Sequence, residues 1–394
     1  VIRLWLKHSM LVADFARVQD ASMTRWCWIL MGLGFWLTSC KPTPPLQAGQ
    51  TYLPISHADV RLIGRWSQSD QTPPEASWPG FAVAVEFTGR DLSICLRDEG
   101  NYYNVSVDGQ QTAVVGGKKG KMVVYPLASG LDGKPHRIRF ERRNISFDKP
   151  TALLGFVLNE GAKLDKAPER ARIEFIGDSY TVAEGNESTR ETLPWLEKYP
   201  VTNFRRGFAS MVADALDADA IGICRSGSGV ARNWLGDAKN SMLDRYDWTQ
   251  METADGGRWA FSESPPILVV ICLGINDYAG LKNKQGIVNE ASSAEFRDKY
   301  HQLIAKVRSH DPDVPILALA PHVEWARENT QLVVSEEAAG HRGGVYYAQF
   351  DRFPGGYVSD GHPTVATHRK IADQILAAIR KDRILPLPAA IGEP

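Results

Sequence analysis

Four short segments of this chain carry groups suited to covalent catalysis. The first is Gly177-Asp178-Ser179, which follows the apolar run Ile173-Glu174-Phe175-Ile176. A serine hydroxyl attacks well only when a base takes its proton. The last segment, Ser359-Asp360-Gly361-His362-Pro363-Thr364, brings such a base, because histidine titrates close to neutrality. Asp360, two residues earlier, is expected to reach the other imidazole nitrogen and fix its tautomer. Between them lie Ser226-Gly227-Ser228-Gly229 and Leu273-Gly274-Ile275-Asn276-Asp277. A glycine can bring its backbone N–H against a substrate oxygen with no side chain in the way. An Asn276 amide can donate to a developing oxyanion. Asp277 is expected to hold its own loop through backbone amides. Each segment alone has a plainer reading: a turn, a flexible Gly/Ser loop, an Asx-turn cap, a structural histidine at a helix start. Their joint occurrence is what points to acyl transfer through a serine.

Such groups work only when rigid elements hold them. From Ala171 onward, strand-like and helix-like stretches alternate. Residues 172–176, 267–273 and 315–320 read as strands, the last two as continuous apolar runs of the kind parallel strands need when buried on both faces. Residues 208–216, 296–308 and 365–380 carry apolar side chains at helical spacing. This alternation predicts an α/β domain with a mostly parallel sheet over residues 170–385, and its loops would expose the four segments. From about Gln50 the texture differs. Strand-length runs at 81–87, 92–96, 103–107, 122–125, 136–141 and 153–158, broken by turn residues such as Asp108-Gly109, predict a small β-sandwich over residues 50–165. The polar run 163–170 reads as the boundary.

Bulk composition excludes several function classes. The 394 residues are 43% hydrophobic and 23% charged, with a formal net charge of -1, so no basic excess points to nucleic acid. The apolar run Trp26 to Leu37, preceded by Arg25 and followed by Thr38-Ser39-Cys40, has the form of an export signal. It resembles a bacterial lipoprotein signal over 23–40, with Cys40 as the lipidation site and the membrane reached only through that anchor; a plain cleaved signal is the alternative. Residues 1–22 read as upstream extension and 41–49 as a stiff Pro-containing tether. Of the five cysteines, Cys95, Cys224 and Cys272 follow this leader without CxxC spacing, so no zinc site is expected. Cys95 and Cys272 read as buried thiols, with one disulfide as the other possibility.

The order Ser, Gly, Asn, His, each at a loop, resembles the four sequence blocks of the SGNH/GDSL hydrolases over about residues 172–380. The resemblance implies a three-layer α/β fold, with Ser179 as nucleophile and His362 as base. It implies an oxyanion hole from the amides of Ser179 and Gly227 and the Asn276 side chain, Gly229 being the alternative glycine. The spacing of Asp360 and His362 resembles carbohydrate esterase family 2, acetyl esterases of plant cell-wall polysaccharides. Gly64-Arg65-Trp66, Trp78-Pro79-Gly80, Asn104-Val-Ser-Val-Asp-Gly109 and the block Asp360 to His368 are similar to that family's segments. This implies a jelly-roll-like sandwich ahead of the hydrolase domain and O-acetyl removal from a xylan-like or mannan-like polysaccharide. No metal or organic cofactor is implied. In that family a backbone carbonyl can orient the histidine in place of Asp360. Val182-Ala183-Glu184-Gly185-Asn186 departs from the Gly-rich continuation such enzymes carry. Trp234 and Tyr278 are the candidates for stacking on a sugar ring, with core packing as the other use of either. Competing readings are another short-chain esterase, lipase or thioesterase of the same fold, and a non-catalytic carbohydrate-binding lipoprotein.

Overall fold

The computed structural model describes residues 43–385 apart from 68, 70, 146, 148, 262–264 and 341–343. The expected signal and Cys40 lie outside the described residues. Among the described residues no helix is long and apolar enough to cross a membrane.

The first half is a pair of antiparallel sheets. In one, Gln50–Pro54, Thr151–Asn159, Leu92–Glu99 and Lys119–Ala128 lie in that order, with Glu75–Ala76 paired to Thr151–Asn159. In the other, Lys163–Lys166, Ala82–Thr88, Pro135–Arg142, Tyr102–Val107 and Gln110–Gly116 lie in order, with Arg61–Ile63 paired to Ala82–Thr88. Alternating residues of the two sheets, among them Phe87, Ile94, Tyr103, Phe140 and Phe156, form a core of their own with Phe81. Within the polar run 163–170 expected as the boundary, Lys163–Lys166 is the last edge strand of the sandwich, Leu164 opposite Phe87. Its alternating Lys-Leu-Asp-Lys pattern is that of an edge with one wet face.

The second half is a parallel sheet in the order Ala218–Cys224, Ala171–Gly177, Leu268–Cys272, Ile316–Ala320, Val345–Gln349. The chain first moves one strand outward through helix Phe208–Ala215. It then crosses to the other side of the starting strand and continues outward through helices Glu290–His310 and Glu324–Ala339. Right-handed crossovers in opposite directions put those helices on opposite faces of the sheet. The closing helix Val365–Lys381 packs against Phe208–Ala215. Every residue of Leu268–Cys272 and Ile316–Ala320 is buried, as the continuous apolar runs required. Order reverses between Ala171–Gly177 and Leu268–Cys272. At such a reversal the loops at the carboxyl ends of the two strands diverge, and open α/β sheets place their ligand crevice there.

The sandwich motifs serve the contact between the two halves. The Arg65 guanidinium is fully buried among the rings of Trp78, Tyr246, Trp259 and Phe261 at 5.1–6.0 Å. It donates to the carbonyls of Tyr246 and Trp248 and lies 3.8 Å from Glu174. Trp78 Nε1 donates to Thr249 O at 3.0 Å, and Asn104 Nδ2 to Asn203 Oδ1 at 2.9 Å. One apolar core accordingly runs from Ile63, Trp78 and Ala82 into the parallel sheet.

Candidate active site

The nucleophile candidate stands on a single helical turn, Ser179–Val182, at the carboxyl end of Ala171–Gly177. Asp178 caps that turn by accepting from Tyr180 N at 3.0 Å. Ala183, at φ 61, ends it in the left-handed conformation, and Glu184 N bonds back to Ser179 O at 3.0 Å. Ser179 is half-buried, and its backbone N–H has no partner among the described residues.

Asp178 and Asn276 join the loops of the two strands that flank the crevice. Asn276 is 8% exposed; its Nδ2 donates to Asp178 Oδ2 at 3.1 Å and to Ser228 O at 3.0 Å. Both amide hydrogens are thus engaged in this state. Asn276 staples the nucleophile and glycine loops, and an oxyanion would have to share one of those hydrogens. Burial pushes the Asp178 carboxyl up to about 7, with nearby Asp277 and Glu184 adding to the rise and the Tyr180 amide opposing it. Asp277 takes its own backbone amide, as expected from sequence, but its main hold is on the glycine loop. It accepts from Val230 N, Ala231 N and Arg232 N at 3.1, 2.7 and 3.0 Å. Burial raises its carboxyl to about 6 against those bonds.

The two glycine candidates separate clearly. Gly229 is buried, and a Cβ there would lie 2.1 Å from Arg232 O and 2.5 Å from Asp277 Oδ2. Close packing explains that glycine. Gly227 is half-buried at φ +78, its N–H without a partner among the described residues, and a Cβ would meet the Trp234 ring at 2.9 Å. It is the glycine positioned to offer an amide to a substrate oxygen. Trp234 is 57% exposed, so its ring borders that amide while open to solvent. Tyr278 instead lies 5.8 Å from Trp325 by ring centroids and donates to Gly286 O at 3.4 Å.

His362 begins the short strand His362–Pro363, paired with Tyr357–Val358. Tyr180 ties it to the nucleophile's turn: its hydroxyl donates to Gly361 O at 2.9 Å and its ring meets the imidazole edge-on at 5.8 Å. The expected bond from Asp360 to the imidazole is not made. His362 Nδ1 faces Ser359 O at 2.5 Å, while the Asp360 carboxylate pairs with Lys198 Nζ at 2.9 Å. The backbone explains the exchange. Ser359, Asp360 and Gly361 all take positive φ, 45, 63 and 89, which turns the Ser359 carbonyl toward the ring and the Asp360 side chain away. A carbonyl only accepts, so Nδ1 carries the proton and Nε2 keeps its lone pair, as a base requires. The second histidine of this block, His368, is fully buried and pushed down to about 3 by burial; its Nδ1 accepts from Phe208 N at 3.3 Å, a structural role.

Glu184, Lys198 and Ser226 were not legible as site residues. Glu184 is buried, receives Lys198 Nζ at 2.7 Å and the Ser226 hydroxyl, and lies 3.9 Å from His362 Nε2. The signal was only the break in the Gly-rich pattern after the nucleophile. Cys95, Cys224 and Cys272 are buried free thiols, and burial pushes Cys95 up to about 12.

Residues 62–168 match the model of the carbohydrate esterase 2 N-terminal domain, and residues 175–370 the GDSL-like lipase/acylhydrolase family. An active-site mutant of a family two carbohydrate esterase from Clostridium thermocellum is 30% identical, covers 83% of this chain and 99% of its own, and superposes with a TM-score of 0.75. The chain belongs to carbohydrate esterase family 2. The cellulase/esterase CelE of Acetivibrio thermocellus is 32% identical over 80% of this chain. An acetylxylan esterase/glucomannan deacetylase of Cellvibrio japonicus is 32% identical over 60% of it. The aligned regions span 39% and 65% of those two enzymes.

Proposed function

We propose that this protein is a serine esterase that removes O-acetyl groups from polysaccharide. The observation that carries the reading is the imidazole with Nδ1 held by a backbone carbonyl and Nε2 left as acceptor, on a hairpin bonded to the turn of Ser179. His362 Nε2 takes the Ser179 hydroxyl proton as Oγ attacks the acetyl carbonyl. The amides of Ser179 and Gly227 receive the oxyanion. Collapse expels the sugar oxygen, which takes the proton back from the imidazolium. Water, activated by the same nitrogen, then attacks acetyl-Ser179; acetate leaves and Oγ recovers its proton. The name of the Cellvibrio japonicus relative, an acetylxylan esterase/glucomannan deacetylase, supports a xylan or glucomannan backbone. Trp234, open to solvent beside Gly227, is the side chain placed to stack on a sugar ring.

Polysaccharide chains cannot enter a closed pocket, so only the acetyl group needs enclosing. Aryl esters from acetate to octanoate should therefore show kcat/KM falling at least tenfold between acetate and butyrate, since an overfilled pocket rejects by overlap. A maximum at butyrate or beyond would move the assignment to a lipase or thioesterase.

A further inference from the structure

The histidine of a serine hydrolase is usually balanced by a carboxylate on its Nδ1 side, and here a neutral carbonyl occupies that place. The imidazolium formed during acylation nevertheless needs a negative neighbour, and the molecule supplies one on the opposite side. Glu184 Oε1 lies 3.9 Å from His362 Nε2, close enough for charge to act and too far to accept the ring proton. The carboxylate cannot swing away. Ser226 holds Oε2 and Lys198 holds Oε1, while the backbone N–H of the same residue is bonded to Ser179 O. Lys198 also carries Asp360 at 2.9 Å. Two carboxylates thus share one ammonium, and the trio keeps one negative charge for the imidazolium to match. Glu184 is 3% exposed at its side chain, so water screens this interaction little.

We propose that Glu184 is a positioning residue for His362: a fixed negative charge that stabilises the protonated base on its Nε2 side, in place of an aspartate at Nδ1. The inference rests on His362 being the base. Other groups facing the ring are accounted for. Tyr180 meets it edge-on; behind Tyr180 stand His322, stacked on it at 5.9 Å, and Arg352, over the Tyr357 ring at 5.4 Å. His368 lies on the following helix. None of these brings a negative charge; Asp178, which caps the Ser179 turn and feels Glu184, is pushed up to about 7 by burial, and Glu184 with the more distant, 42% exposed Asp360 are the carboxylates on the Lys198 side of the ring.

The test is the pH profile of kcat/KM on an aryl acetate for wild type, Glu184→Gln and Asp360→Asn. Removing a negative charge disfavours the imidazolium, so the base becomes available at lower pH. The acid limb should move down by about half to one pH unit in E184Q, and in the same direction by less in D360N. The plateau kcat of E184Q should fall about five- to twenty-fold with KM within about twofold. Glu184→Asp, which keeps the charge, should restore the wild-type limb. Asp360 is partly exposed, so its variant reads the same sign even if E184Q does not fold. A limb that stays in place in both variants, or moves up, overturns the proposal. His362→Ala distinguishes the two failures: if it stays active, the assignment of the base is wrong; if it is inactive while the limb never moves, only the role of Glu184 falls.

Discussion

Ser179→Ala is expected to lower kcat on aryl acetates by on the order of 10⁴- to 10⁶-fold, with the melting temperature within a few degrees of wild type. The size follows from the chemistry, since the other two hydroxyls of the turn that Asp178 caps, those of Tyr180 and Thr181, belong to buried residues and Tyr180 spends its own on Gly361 O. The mild effect on stability follows from the site. Ser179 is half-buried on a single helical turn, where alanine is a favourable residue. A variant with wild-type turnover would remove Ser179 from the mechanism. A variant that is inactive because it has unfolded shows itself in the melt.

His362→Ala should cost a similar factor, because without the base the serine stays protonated. Asp360→Asn should cost about tenfold or less. In a triad whose aspartate holds the imidazole, the same exchange costs about 10⁴-fold, through loss of the correct tautomer. Here the tautomer is set by Ser359 O, which the substitution leaves in place, and the effect reaches His362 only through Lys198. Steady-state kinetics of the two variants side by side checks this. Equal losses would mean that Asp360 swings onto the imidazole in the working enzyme.

The four blocks were legible because each couples a chemical group to the end of a regular element. Residues 173–179 show it best: a buried apolar strand runs straight into Gly177-Asp178-Ser179, and the fold places that serine at the strand's carboxyl end. Long periodic elements were equally plain. Residues 365–380 appear as the helix Val365–Lys381. Weakly patterned elements were not. Helix Glu324–Ala339 is rich in charge and Val345–Gln349 is a short edge strand, so neither shows a strong period. The helix expected from Phe296 begins at Glu290, where Asn289 caps it through Ser292 N, a local side-chain signal upstream of the apolar stripe.

What sequence could not show was the wiring between blocks. Asp360 stands two residues from His362, yet three consecutive positive φ angles send its carboxylate to Lys198. Asp277 stands beside Asn276 and serves a loop more than forty residues earlier in the chain. Glu184 reads as an interruption of a Gly-rich pattern and proves to be a buried carboxylate facing the base. Contacts of this kind depend on how loops from different strands meet, and local spacing carries no record of them.

Ser179 and His362 together are expected to release acetate from polysaccharide. The most direct test is acetate release from acetylated glucomannan and acetylated xylan, by enzyme carrying the native Ser179 and by Ser179→Ala in parallel. Steady release from at least one of the two polysaccharides is expected from the native enzyme, and none above background from the variant. Absence of acetate from both polymers, with aryl acetates still turned over, would contradict the polysaccharide assignment; release that survives loss of Ser179 would contradict the mechanism.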